Sequence, residues 1–183
     1  MALQHDIFIT GIEDAKIYIN STWYDVYGIQ SIGFDPDILN AEVKGDLTTL
    51  DSYSKLQGTA TLTFKSATCN FDLLAKLTGN NITETGTTPN IVATLDGMTN
   101  VNFPYFKFEC DTKHIKTRGQ VGTLPADMHL ILYVCQLQKF PFNISGENPE
   151  YVVSDWSAKV ITDTTNNKLF TYELRETAKT IGS

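Results

Sequence analysis

The sequence predicts a mainly β protein: a single-domain β-sandwich or barrel of about seven or eight strands with one short flanking α-helix. Three observations carry this. Apolar residues recur with period two in several stretches, and Gly, Pro, Asn and Asp clusters separate those stretches. A helical period appears once. The 183 residues are enough for one substantial core, whereas two domains would each be small. Apolar residues make up 42% and charged residues 19%, a globular composition with fewer charges than average, as in a chain that buries surface in neighbours and in many secreted β-proteins. No repeat, low-complexity tract or linker divides the chain, so residues 1–183 form one domain in this reading.

Residues 1–12 carry Ile7, Ile9 and Ile12 between Asp6 and Gly11, and form an N-terminal arm that either adds a strand or crosses to a neighbour. Ala15, Ile17 and Ile19 then alternate with Lys16, Tyr18 and Asn20, giving the first secure strand. Trp23, Tyr24 and Tyr27 follow around a turn. Such aromatics serve as core, as a sugar-stacking platform or as interface anchors. Residues 33–37, Gly-Phe-Asp-Pro-Asp, read as a turn, because proline fixes its own backbone and restricts the residue before it.

Residues 42–79 organise the rest: a strand, a long polar hairpin loop, a second strand and a helix. In the second strand Ala60, Leu62 and Phe64 alternate with Thr59, Thr61, Thr63 and Lys65, so one face meets a core. Residues 45–58 are too long for a tight turn. They mix polar Gly45, Asp46, Asp51 and Lys55 with Leu47, Leu50, Tyr53 and Leu56. A loop of that length is functional or disordered, and its spaced apolar residues favour one that docks. The helix spans residues 71–78, with Phe71, Leu74 and Leu77 at helical intervals. Asn70 is its N-cap, Asp72 lies in the first turn against the dipole, and Gly79 is its left-handed exit.

Residues 79–90 are loop by composition, and residues 91–95 a short strand ended by Asp96-Gly97. Phe106, Phe108 and Cys110 alternate with Lys107, Glu109 and Asp111 in a further strand. Residues 112–120 hold Lys113, His114, Lys116 and Arg118, the one basic cluster, read as a solvated turn or as a partner for acids on a neighbouring subunit. Residues 130–137 are nearly continuously apolar, as in a strand covered on both faces or covered by a subunit partner on one. Trp156, Ala158 and Val160 form one face of the next strand. Phe170, Tyr172 and Leu174 form one face of the last, with residues 164–167 as the hairpin loop between them. From Glu176 onward the chain is polar and expected to fray.

The net charge is −7, and its whole excess lies in the first half: residues 1–100 hold 12 acids and 5 bases, residues 101–183 hold 9 of each. That balance excludes a nucleic-acid clamp, whose affinity comes from Lys and Arg displacing counterions. On charge alone it suits solubility first, and also allows a conduit whose walls repel phosphate without holding it. Cys69, Cys110 and Cys135 are odd in number and far apart, which argues against a disulfide framework and a zinc site. No GxSxG, HExxH, Walker loop or Gly-rich dinucleotide turn is present, and His129 reads as a structural residue of an apolar strand. The expectation is no enzyme, no cofactor and no metal. The first residues lack the basic start and apolar run of a signal peptide, and no stretch approaches a membrane helix. The chain is therefore expected to be made in a cytoplasm and to stay soluble or assemble there.

Glu42-Val43-Lys44 followed by Gly45-Asp46, the alternating strand from Gly58, and the Leu-Leu-Ala-Lys-Leu-Thr-Gly end of the helix resemble the tail tube proteins of long-tailed bacteriophages. The resemblance lies on residues 15–79, with a looser match of strand order after Pro104. It implies a structural virion protein whose hexameric rings stack into a tube for DNA ejection, with a fold shared by the type VI secretion tube protein. In that family the long hairpin loop, here Gly45, Asp46, Leu47, Leu50, Asp51, Tyr53 and Lys55, reaches into the adjacent ring. The implied partners are other copies of the chain and other tail proteins: sheath if the tail contracts, tape measure, baseplate and terminator. DNA passes transiently and without specificity, and the chain does not insert into a membrane. The implied place is the virion tail, assembled in the bacterial cytoplasm. If the face opposite Leu62 lines the bore, Glu42, Thr59, Thr61, Thr63 and Lys65 form it, and Lys65 needs a neutralising neighbour such as Glu42 or Asp46. The alternative is a carbohydrate-binding β-sandwich that uses Trp23, Tyr24 or Trp156 as its platform.

Overall fold

The computed structural model describes residues 8–44, 49–68, 70–97, 102–115, 127–139, 154–177 and 179–182. Ten strands and one helix follow one another: β1 (Phe8–Ile19), β2 (Thr22–Asp25), β3 (Ile29–Lys44), β4 (Thr49–Ser66), α1 (Phe71–Thr78), β5 (Ile82–Thr85), β6 (Val92–Leu95), β7 (Tyr105–Ile115), β8 (Asp127–Lys139), β9 (Ser154–Ile161) and β10 (Phe170–Arg175). The chain is mainly β, as expected. Eight strands form one antiparallel sheet in the order β2-β1-β7-β8-β9-β4-β3, with β10 beside β8 off that path, and β5 and β6 form a separate hairpin.

β8 is where the sheet divides. One of its edges pairs with β7, while the other is shared, with residues 127–132 bonded to β10 and residues 134–139 to β9. A 13-residue strand is long enough to hold two different neighbours in series. The sheet also curls. Phe64 on β4 and Phe108 on β7 are three strand spacings apart, about 14 Å in a flat sheet, yet their ring centroids lie 5.9 Å apart. Phe64 stacks on Trp156 as well, at 5.5 Å. The inward faces of β1, β4, β7, β8 and β9 thereby enclose one core, a sandwich-like arrangement of a single rolled sheet.

The alternating sets behave as their period requires. Ala15, Ile17 and Ile19, then Ala60, Leu62 and Phe64, then Phe106, Phe108 and Cys110, then Trp156, Ala158 and Val160 are all buried. In β8, Leu130, Ile131 and Leu132 are buried in succession, so both faces of that part of the strand are covered. Asp163 and Lys168 bridge around residues 164–167, the expected hairpin loop.

In α1 the Asn70 side chain accepts the Leu73 N–H at 3.1 Å, and Gly79 leaves the helix with φ 72°. One helix residue differs from expectation. Phe71 is 49% exposed, and Leu73 takes its place beside Leu74 and Leu77 in the core. The first turn of an eight-residue helix overhangs its seat, so the packed stripe begins at the third residue. The helix plugs its apolar side into the core and does not lie on the outer face of the sheet.

Other segments depart further from the sequence reading. Residues 33–37 are not a turn but lie inside β3. That strand forms one end of the sheet path, where proline's missing N–H costs no ladder bond, and the register shifts between Pro36 and Ile38. Trp23 and Tyr24 sit in β2, and the turn before it is Asn20 and Ser21, both at positive φ. Ile82–Thr85, expected as loop, pairs with Val92–Leu95. The C-terminal residues do not all fray: Ile181 is buried, the Lys179 N–H donates to Asp127 Oδ2 at 3.0 Å, and Gly182 lies against the Trp23 ring. One apolar residue in a polar tail was enough to dock it.

Candidate assembly surface and a buried charge cluster

The two longest strands, β3 and β4, do not stay in the sheet. β9 follows β4 only from Thr59, opposite Ile161, to Ser66, opposite Ser154. Before Thr59, β3 is the one strand beside β4 among the described residues, in pairs that run from Ile38 opposite Leu56 to Lys44 opposite Thr49. The ten residues 49–58 reach about 33 Å at 3.3 Å per residue. Residues 49–58 are therefore not an irregular loop but the returning strand of a two-stranded ribbon. Residues 54–58 are all exposed, and period two shows only where one face is buried.

Of the expected loop residues, Leu50, Asp51, Tyr53 and Lys55 lie in β4, with Asp51 opposite Val43, Tyr53 opposite Ala41 and Lys55 opposite Leu39. Gly45, Asp46 and Leu47 fall outside the described residues. Glu42 lies in β3 opposite Ser52. At the root of the ribbon Ile38 and Leu56 face each other across the strands, 58% and 54% exposed. Polar contacts hold the ribbon on either side of this pair: Ser54 with Asn40, and the Thr59 hydroxyl with Asp37.

The sheet face opposite Leu62 is polar, as the alternation requires. Thr63 and Lys65 are exposed, and Thr59 and Thr61 half-buried. Beside them in register stand Asp35 on β3 and Ser157 and Lys159 on β9. Lys65 pairs with Asp155 on β9, at 3.4 Å; the Glu42 side chain and Asp46, the neighbours expected for it, lie outside what the structure describes. Strand pairing brings Asp155 directly opposite Lys65 although 90 residues separate them in sequence. A depression of about 300 Å³ here is lined by Ser31, Thr63, Lys65, Lys139, Asp155 and Ser157 together with the aromatic Phe64 and Trp156.

Elsewhere the structure assembles a group that sequence spacing did not suggest. His129 on β8 is 1% exposed, and each ring nitrogen meets a carboxylate: Nδ1 meets Asp111 and Nε2 meets Glu109 at 3.1 Å. Both acids come from β7, whose Asp111 pairs with His129 and whose Glu109 pairs with Ile131. Lys107 caps Glu109 from the same strand and sits over the Trp23 ring, 5.6 Å from its centroid. Burial disfavours charge on all three members. For Glu109 the hydrogen bonds from His129 and Lys107 outweigh burial and hold its carboxyl down to about 2. For Asp111 burial prevails and raises it. For His129 burial is outweighed by the bonds to Glu109 and Asp111, so its basicity is raised. Two acceptors on one imidazole require a proton on each nitrogen, or one shared with Asp111. The cluster therefore holds a proton and ties β7 to β8. The signal that could have found it is the i, i+2 pair of acids on a strand otherwise apolar on its other face.

Cys110 and Cys135 are buried thiols, and burial pushes Cys110 up to about 12. Cys69, Lys116 and Arg118 lie outside the described residues. Trp156 is buried, which removes it from any stacking platform. Among the described residues no group of three or more His, Cys, Asp and Glu could hold a metal ion, and no helix is long and apolar enough to cross a membrane. Comparison with protein-family models and with curated proteins gives no match.

Proposed function

We propose that this chain is a structural subunit that assembles with itself, and that its assembly is a stack of hexameric rings forming a tail-tube conduit for DNA. The observation that carries the reading is the β3–β4 ribbon. Among the described residues it extends past the sheet on its own pairing alone, and it carries the exposed Ile38–Leu56 pair at its root. A lone two-stranded ribbon is marginal in water, so one this long would gain stability against a neighbour. The sheet supports the same reading, because β2 and β3 end its strand path with no further strand among the described residues, and a closed ring of subunits would pair such edges. The polar, hydroxyl-rich face of Thr59, Thr61, Thr63 and Lys65, with Lys65 already neutralised by Asp155, suits a bore that lets DNA pass.

Negative-stain microscopy of the purified protein tests this. Rings or rods are expected, and a monomer at every concentration overturns it. Deleting residues 48–54 is expected to leave a folded subunit that makes no long tubes. Tubes of normal length would remove the ribbon from the stacking contact.

A further inference from the structure

We propose that the exposed Ile38–Leu56 pair of one copy seats in an apolar cleft of the next, so that copies join head to tail through a knob and a socket on different parts of one surface. The inference rests on the assembly reading and names the surface of the neighbour that receives the ribbon's root.

The socket lies where the rolled sheet comes round on itself. β1 and β3, from opposite ends of the strand path, contribute Ile12 on one side and Ile32 and Phe34 on the other, over a floor of the buried Cys110 and Leu130. The cleft measures about 380 Å³. Tyr172 stands at its mouth, 50% exposed, and ends an edge-to-face run of rings from Phe34 through Phe170, at 5.1 and 5.4 Å between centroids. Among the described residues no charged side chain lines the cleft, and its polar lining is confined to neutral groups such as Gln30, Ser31 and Thr112. A charged occupant would lose its water there without gaining a partner, so the site selects an uncharged apolar one. Its volume is at the low end for a binding site, which suits a few side chains and not a folded element.

The knob has the matching chemistry. Ile38 and Leu56 are paired across β3 and β4, so they form one exposed apolar patch and not two scattered residues. They do not reach the cleft of their own copy. Ile38 lies four residues past Phe34 on the same strand, about 13 Å along it. β3 stays paired with β4 from Ile29 to Lys44, so it does not double back onto its own wall. Two copies can make the contact that one cannot. A knob and a socket at separate places on one surface give a heterologous junction, which repeats from copy to copy unless rotation closes it. A stack of rings needs that polarity.

The test uses the full-length chain, sedimentation and negative-stain microscopy. Gly11→Phe fills the socket: Gly11 lines the cleft, and a Cβ there meets no atom within 4 Å, so the backbone accepts a side chain. Tyr172→Lys places a charge at the mouth, at a half-exposed site, and serves as a second block. Ile38→Ser with Leu56→Ser removes the knob. Each variant is expected to raise the concentration needed for rods about tenfold or more. An equimolar mixture of the Gly11→Phe protein and the knobless protein is expected to give paired units that grow no further, because each brings the surface the other lacks. Rods at the parent's concentration from folded Gly11→Phe and Tyr172→Lys proteins overturn the inference, leave the assembly reading standing, and leave the cleft to a small apolar molecule or to a segment of its own chain. A mixture in which no pairs form overturns it as well. A parent that stays monomeric overturns the assembly reading itself, and this inference with it.

Discussion

β4 is one strand with two environments. From Thr59 to Ser66 it lies between β3 and β9, and its inward side chains Ala60, Leu62 and Phe64 are buried. In residues 49–58 β3 is its one partner among the described residues, and Leu56 is 54% exposed. Pairing with β3 is common to both halves, so ladder bonds alone do not account for the difference. What separates them is the third strand and the layer beneath it. The comparison teaches that a residue's worth here is set by whether a second layer lies under it.

The largest expected effect lies in the packed half. Leu62→Asp buries an unpaired carboxylate among Leu, Phe and Trp side chains, and is expected to cost about 5 kcal/mol or more, enough to unfold the domain. A folded Leu62→Asp protein, by circular dichroism and urea titration, would mean that the core half is not packed as described.

Next in size is the cluster that locks β7 to β8 outside the apolar core. His129→Leu leaves Glu109 and Asp111 buried without their shared partner and is expected to cost about 3 kcal/mol. Adding Glu109→Gln and Asp111→Asn should restore part of that loss, because the stranded charges are removed with the imidazole. If the single change is neutral in urea, the cluster is not a lock.

The same cluster sets a pH dependence. His129 is raised, so its contribution is full below the ordinary histidine value of 6.5 and is lost as pH rises through its own higher value. Glu109 is lowered from 4.5 to about 2, so its contribution is present above 4.5 and is lost as pH falls toward 2. Asp111, raised by burial, costs stability as pH rises from 3.8 through its own higher value, so it opposes Glu109 on the acid side. The thermal midpoint is therefore expected to fall at both extremes. His129→Leu should flatten the alkaline limb; an alkaline limb identical in that variant would assign it to another group.

How much of this was legible follows from the same physics. Leu62, Phe108 and Val160 announced themselves because a strand with one buried face writes its period into the sequence, and α1 did so through Asn70 and Gly79. The ribbon did not, since residues 54–58 are exposed throughout and offer no buried face to alternate. The 33–37 segment misled because Asp-Pro-Asp carries turn composition, while the open edge of β3 tolerates proline. Glu109, Asp111 and His129 were visible as residues, but their meeting depends on the β7–β8 register, which no local pattern encodes. Lys65 and Asp155 met for the same reason. The docked C-terminal tail rested on a single Ile181, below what any window average detects.

A smaller effect is expected at the helix that closes the packed half. Asn70→Ala removes the side-chain acceptor of the Leu73 N–H and should lower stability by about 1 kcal/mol. The helix lends Leu73, Leu74 and Leu77 to the core that holds Leu62, so this loss should appear in the global urea midpoint.

The smallest effect on stability should come from the ribbon. Ile38→Ser with Leu56→Ser changes an exposed cross-strand pair that no second layer covers, and the monomer's urea midpoint is expected to stay within about 0.5 kcal/mol of the parent. If the chain assembles as proposed, the self-association read by sedimentation should nonetheless fall, because the apolar area lost would be area that a neighbouring copy buries. The two readouts must separate for the comparison between the halves of β4 to hold. A double variant that loses 2 kcal/mol or more as a monomer would mean that the ribbon folds against its own sheet. One that is stable and associates normally would mean that the neighbour grips the ribbon elsewhere, along the backbone edges that serine leaves intact.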